Sequence, residues 1–98
     1  MNENVFDAAS LALDTWASLP GDDAASEEQL RSALSTLDRA VSMDRTCGEA
    51  IYRRGLVHKR LGDIPSAFRD FARAFQLNPR HAEAEHEVRT FAMRARKA

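Results

Sequence analysis

The sequence predicts an all-α protein built from short helices joined by sharp turns. Apolar residues recur at steps of three and four in five separate stretches, the period of an amphipathic helix. Those stretches are divided by clusters of Pro, Gly, Asp and Ser, which interrupt helices and favour turns. Strand-like alternation is absent and Val and Ile are sparse, so no strand is expected.

The first stretch, Asn4 to Ser18, carries Phe6, Ala9, Leu13 and Trp16 on one stripe and ends at Pro20 and Gly21. Ser26 opens "SEEQ", in which Ser26 and Gln29 can each satisfy the other's exposed backbone N–H, a capping box. The second helix follows, with Leu30, Ala33, Leu34, Leu37, Ala40 and Val41 on one face, and "SMDRTCG" closes it. A third helix runs from about Glu49 to Leu61 and stops at Gly62, which can take the left-handed conformation past a helix end. Pro65 suits the first position of the fourth helix, where a missing N–H leaves nothing unpaired. That helix is expected to bury Ala67, Phe68, Phe71, Ala74 and Phe75 before Asn78-Pro79 ends it. The fifth, about His81 to Arg96, has a thin stripe of Ala84, Val88, Phe91 and Ala92 and a basic tail, "RARKA", expected to fray.

The chain also matches itself. Displaced by 34 residues, "SALSTLDRAVSMD" from Ser32 falls on "SAFRDFARAFQLN" from Ser66. Serine meets serine, Ala33 meets Ala67, Arg39 meets Arg73 and Ala40 meets Ala74. Leu34, Leu37, Val41 and Met43 meet Phe68, Phe71, Phe75 and Leu77, and Glu49-Ala50 meet Glu83-Ala84. A fixed period of this length marks a duplicated helical hairpin.

A 34-residue helical hairpin resembles the tetratricopeptide repeat, whose pattern is Trp-x2-Leu-Gly-x2-Tyr, then Ala-x3-Phe, a second Ala and a closing Pro. Gly55, Ala67, Phe71, Ala74 and Pro79 fit at the correct spacings, whereas Ile51, Arg54 and His58 stand for the Trp, Leu and Tyr. The resemblance implies one domain over residues 1–98, its antiparallel helical hairpins stacked as a short right-handed α-solenoid. Residues 4–47 form a divergent first hairpin, residues 48–81 the best-matching unit and residues 82–97 a capping helix. The first hairpin has Arg45 in place of the Pro, and "PGDDAAS" puts its first helix out of register. In this reading Gly55 and Ala67 are small because two helices touch there, Phe71 fills the space between hairpins, and Gly62 and Pro65 turn the chain. All five are assigned to stability and none to chemistry.

Hydrophobic residues make up 44% of the 98 positions and charged ones 30%, which predicts a soluble folded chain. No apolar run approaches the roughly 20 residues of a membrane span, and the acidic N-terminus does not read as a secretion signal. A lone Cys47 has no internal disulfide partner, so the reducing cytoplasm is the expected compartment. Net charge is −1, yet residues 1–51 carry ten acids and three bases (−7), and residues 52–98 carry eleven bases and five acids (+6). His81 and His86 are five apart and do not share a helix face, no His-Glu-x-x-His occurs, and Cys47 has no paired thiol, so no metal or cofactor is expected. His58 is read as interhelical, and His81 and His86 as surface residues. Cys47 is read as a structural thiol at a helix start, since a nucleophile needs a base and an orienting partner. Asp22-Asp23 and Glu27-Glu28 read as loop and first-turn charges favoured by the helix dipole. Arg53, Arg54, Lys59 and Arg60 with the arginines of the last two helices raise nucleic-acid contact, but they come with no aromatic platform and the chain as a whole is slightly acidic.

The resemblance implies instead a non-enzymatic adaptor or scaffold, with a concave groove lined by the first helices of successive hairpins. Carried over position by position, the third helix would contribute Glu49, Tyr52, Arg53, Leu56, Lys59 and Arg60, and the fifth Glu83, His86, Thr90 and Arg94. Tyr52, flanked by bases, is either an exposed anchor for an acidic protein or peptide or a residue packed on a neighbouring helix. The clamp with which related domains hold a chaperone's terminal carboxylate is incomplete. Arg53 fills one of its positions, but Leu56, Glu83 and Glu87 stand where polar or basic partners are wanted. The alternatives are a homo-oligomer joined through acidic and basic halves, and a regulator contacting nucleic acid.

Overall fold

A computed structural model describes residues 7–21 and 24–97. The elements are α1 (Ala8–Ala17), α2 (Glu27–Met43), α3 (Gly48–Arg60), α4 (Ile64–Leu77) and α5 (Ala82–Lys97), with no strand among the described residues. Asn4, Phe6 and the Asp22-Asp23 pair lie outside them. No helix among the described residues is long and apolar enough to cross a membrane.

The helix ends follow local chemistry. Asp7 Oδ1 accepts the Ser10 N–H at 2.8 Å and starts α1. The capping box opens α2 as expected: Ser26 Oγ accepts from Gln29 N–H at 3.1 Å, and Gln29 Oε1 accepts from Ser26 N–H at 2.8 Å. At the end of α3, Gly62 takes φ +85°. Its N–H bonds the Lys59 carbonyl at 3.0 Å and the Asp63 N–H bonds the His58 carbonyl at 2.9 Å, the Schellman pattern that only a left-handed residue allows cheaply. Asp63 then caps α4 by accepting the Ser66 N–H, which places Pro65 second rather than first in the helix. These bonds to Ser66 hold the Asp63 carboxyl below its ordinary pKa.

The 34-residue period is written into the turns as well as the helices. Asp44 and Asn78 end α2 and α4 in nearly the same backbone conformation, φ/ψ −152°/101° and −145°/93°. Asp44 Oδ1 accepts the Thr46 N–H at 3.0 Å, and Asn78 Oδ1 accepts the Arg80 N–H at 3.1 Å. Cys47 and His81 donate their N–H groups to the Asp44 and Asn78 carbonyls in turn, at 3.1 and 2.9 Å. The duplication breaks only where the sequence does, because Ser18–Ser26 joins α1 to α2 whereas Leu61–Asp63 suffices between α3 and α4.

Each helix packs on its neighbours in the chain, α1 also reaches α3, and α3 with α4 make the most intimate pair. A first cluster gathers Ala8, Ala12, Leu30, Ala33, Leu37, Ala40, Ala50 and Val57. A second gathers Ile51, Tyr52, Ala67, Phe71, Ala74 and Ala84, and Val41 packs against both. Gly55 is where α3 and α4 touch: a Cβ there would lie 2.8 Å from Phe71 Cε1 and 3.1 Å from Asp70 Cβ. Phe71 is fully buried, with its ring 5.7 Å from that of Tyr52 and 6.1 Å from that of Phe91.

Four expectations need correction. In α1 the inward residues are Ala8, Leu11, Ala12 and Trp16, and Leu13 is 45% exposed. That helix is apolar on more than one side, so packing, not periodicity, chose the face. Phe68 is 37% exposed: it meets Phe91 edge-to-face and lines an open groove between α4 and α5. Ala92 is likewise exposed. The basic tail does not fray within the described residues, since α5 continues to Lys97.

Candidate functional site

Trp16 comes from α1 and stands among bases that α3 supplies. The Arg60 guanidinium lies 4.5 Å from its ring centroid and that of Arg53 lies 5.7 Å away, both within cation–π range. Arg60 also donates from Nη1 to the Pro20 carbonyl at 3.3 Å, and Arg53 donates from Nε to Glu49 Oε2 at 2.6 Å. The two arginines are thus held by fixed partners on one side while keeping N–H groups to offer. Further round, Lys59 Nζ bonds Glu87 Oε1 and Oε2 at 3.0 and 3.2 Å, tying α3 to α5.

Of the residues expected to line a groove, Glu49, Arg53, Leu56 and Arg60 are half-buried on α3, and Lys59 is exposed but tied to Glu87. Glu83, His86 and Arg94 are exposed on α5, and Thr90 is half-buried, its hydroxyl donating to the His86 carbonyl. Tyr52 is not an exposed anchor. It is 7% exposed, packed on Phe71 and on the His81 ring at 4.6 Å. Desolvation, reinforced by Glu83 and Glu87, pushes its phenol pKa above the ordinary value. Packing explains the reversal: Ile51 and Tyr52 are both buried in the second cluster, with Tyr52 between Phe71 of α4 and His81 just before α5. His81 is also corrected, from a surface residue to a capping one, since its Nδ1 accepts the Ala84 N–H at 3.2 Å.

Two features escaped the sequence reading. Trp16 lies 37 positions before Arg53 and 44 before Arg60, so no linear pattern links them. The second is an ion-pair network across the α3–α4 contact. Arg54 donates from Nε and Nη2 to the two oxygens of Asp70, each at 2.9 Å, and from Nη1 to Asp38 at 3.2 Å. His58 sits between Asp63 and Asp70 at 3.8 and 3.9 Å, interhelical as expected. The hydrogen bonds to Asp70 raise the Arg54 pKa, outweighing desolvation. The spacing does hold a clue: Arg54 and Asp70 are each in place of an apolar or neutral residue on an otherwise inward face, 16 apart across one hairpin.

Cys47 lies half-buried at the start of α3, against the first cluster, with no side-chain cap bond. Among the described residues no group of three His, Cys, Asp or Glu side chains is arranged to hold a metal ion. No protein-family model, curated protein or solved structure matches this chain significantly.

Proposed function

We propose that this chain is a non-enzymatic, cytoplasmic protein-interaction module, a short right-handed solenoid of tetratricopeptide-like hairpins, and that its α1/α3/α5 face binds an acidic segment of a partner protein. The observation that carries the reading is Trp16 braced by Arg53 and Arg60, an aromatic–guanidinium surface suited to an extended chain bearing carboxylates. The 34-residue register of helices and turns supports it, because stacked hairpins of one handedness line up their first helices. Glu49, Leu56, Glu83, His86, Thr90 and Arg94 would flank the central arginines and set sequence preference.

Affinity capture from a native lysate tests this, comparing wild type with a Trp16→Ala/Arg53→Glu variant whose circular dichroism matches. A protein retained by wild type, lost by the variant and released as salt rises is the expected result. Retention of the same proteins by both forms would remove this face from consideration. The −7 and +6 halves favour a second reading, self-association of unlike ends. Sedimentation at low salt would then show a concentration-dependent oligomer that high salt dissociates.

A further inference from the structure

The opposite side of α5 carries a different kind of surface. Ile64, Pro65, Phe68, Phe91, Ala92 and Ala95 line an open, almost wholly apolar groove of about 270 Å³ between α4 and α5. Beside it, sharing Ala92, a second groove runs between Met93 and the arginines Arg89 and Arg96. The surface is therefore an apolar floor with a basic edge.

The same register one repeat earlier is closed where this one is open. Val57, the counterpart of Phe91, is fully buried, and Leu30, the counterpart of Ile64, is 6% exposed, against 40% for Ile64. Those two residues are closed over by Ala8 and Ala12 of α1 in the first cluster, while α4 lies along another side of α3 with its Ala67, Phe71 and Ala74 buried in the second. Along α5 the described residues supply α4 on one side and no helix in the seat that α4 occupies on α3.

One substitution between the two seats sets the chemistry of the occupant. Gly55, against which Asp70 and Phe71 pack, has Arg89 as its counterpart 34 residues on. A helix in the second seat therefore meets a guanidinium where α4 meets bare backbone. Arg89 is 75% exposed and, among the described residues, is paired at 2.7 Å with Glu85 of its own helix alone, so further N–H groups face outward. Arg96, one heptad on, is exposed along the same edge.

We propose that the α4/α5 groove receives an amphipathic helix of a partner protein, apolar where it meets Phe68, Phe91 and Ala92, and acidic along the edge facing Arg89 and Arg96. The apolar stripe removes Ile64, Phe68 and Met93 from water, and the acids select orientation and partner. This site is separate from the Trp16 face and does not rest on the function proposed for it.

The test uses the full chain and two synthetic helical peptides of about four turns, identical in a leucine stripe but flanked by Glu in one and Lys in the other. Fluorescence anisotropy is expected to show the Glu peptide binding about ten-fold more tightly than its Lys twin. The exposed-site variant Arg89→Glu/Arg96→Glu should invert that preference, and Trp16→Ala/Arg53→Glu should leave it unchanged. Equal affinity for both peptides, a preference that survives the charge reversal, or no binding into the millimolar range would overturn the proposal. So would sedimentation showing a wild-type dimer, without peptide, that Phe68→Glu abolishes, since the groove would then belong to a second copy.

Discussion

Arg54 is the side chain on which most of the interior electrostatics turns. Its guanidinium is a quarter exposed and Asp70 is 6% exposed, so the pair is largely removed from water and relies on its two parallel bonds. Removing one member strips the other of its main partner. Asp70→Ala should destabilise the fold by about 2–4 kcal/mol, less than the 3–5 kcal/mol of a fully buried pair because Arg54 keeps some water and Asp38. Chemical denaturation measures this, and a loss below about 0.5 kcal/mol would mean the pair behaves as a surface one. Tyr52 supplies a pH signature at the same scale. Its pKa is raised in the folded state, so its contribution is complete below the ordinary phenol range and declines as pH rises above it. Melting temperature between neutral and strongly alkaline pH should fall more steeply for wild type than for Tyr52→Phe, and parallel curves would refute the assignment.

At the scale of the element, the α3–α4 hairpin is defined by one close approach. Gly55→Ala adds helix propensity, worth about 1 kcal/mol in a free helix. Here the added methyl meets Phe71 at 2.8 and 3.0 Å, and Phe71 is itself wedged between Tyr52 and Phe91. Overpacking of about 1–3 kcal/mol should win, so the variant melts lower than wild type. A higher melting temperature would show that the helices separate freely. The small residues at 55, 67 and 74 were readable from sequence because a closely packed hairpin has few other solutions. The position of Phe68 was not, since an aromatic three residues from Phe71 looks equally inward until the width of the facing helix is known.

For the whole molecule, the two apolar clusters share Val41 and are bridged by α3, which packs on α1, α2 and α4. Neither cluster is large enough to stand alone as a core, so the chain should unfold in one step. Trp16 reports the first cluster, and far-ultraviolet dichroism reports all five helices. The two signals should give coincident denaturation curves. Separate midpoints would mean the hairpins unfold as independent repeats.

The sequence by itself determined the all-helical class, the five helices, the capping box at Ser26 and the left-handed Gly62, because each depends on residues within a few turns of one another, and the 34-residue register, because the chain repeats its own pattern. Tertiary structure alone decided which side of α1 turns inward, that Tyr52 is buried, that Arg54 and Asp70 meet, and that Trp16 stands between Arg53 and Arg60. Periodicity specifies that a helix has a face. It leaves open which neighbour covers that face and how wide that neighbour is, and those two quantities set burial and pair charges across helices.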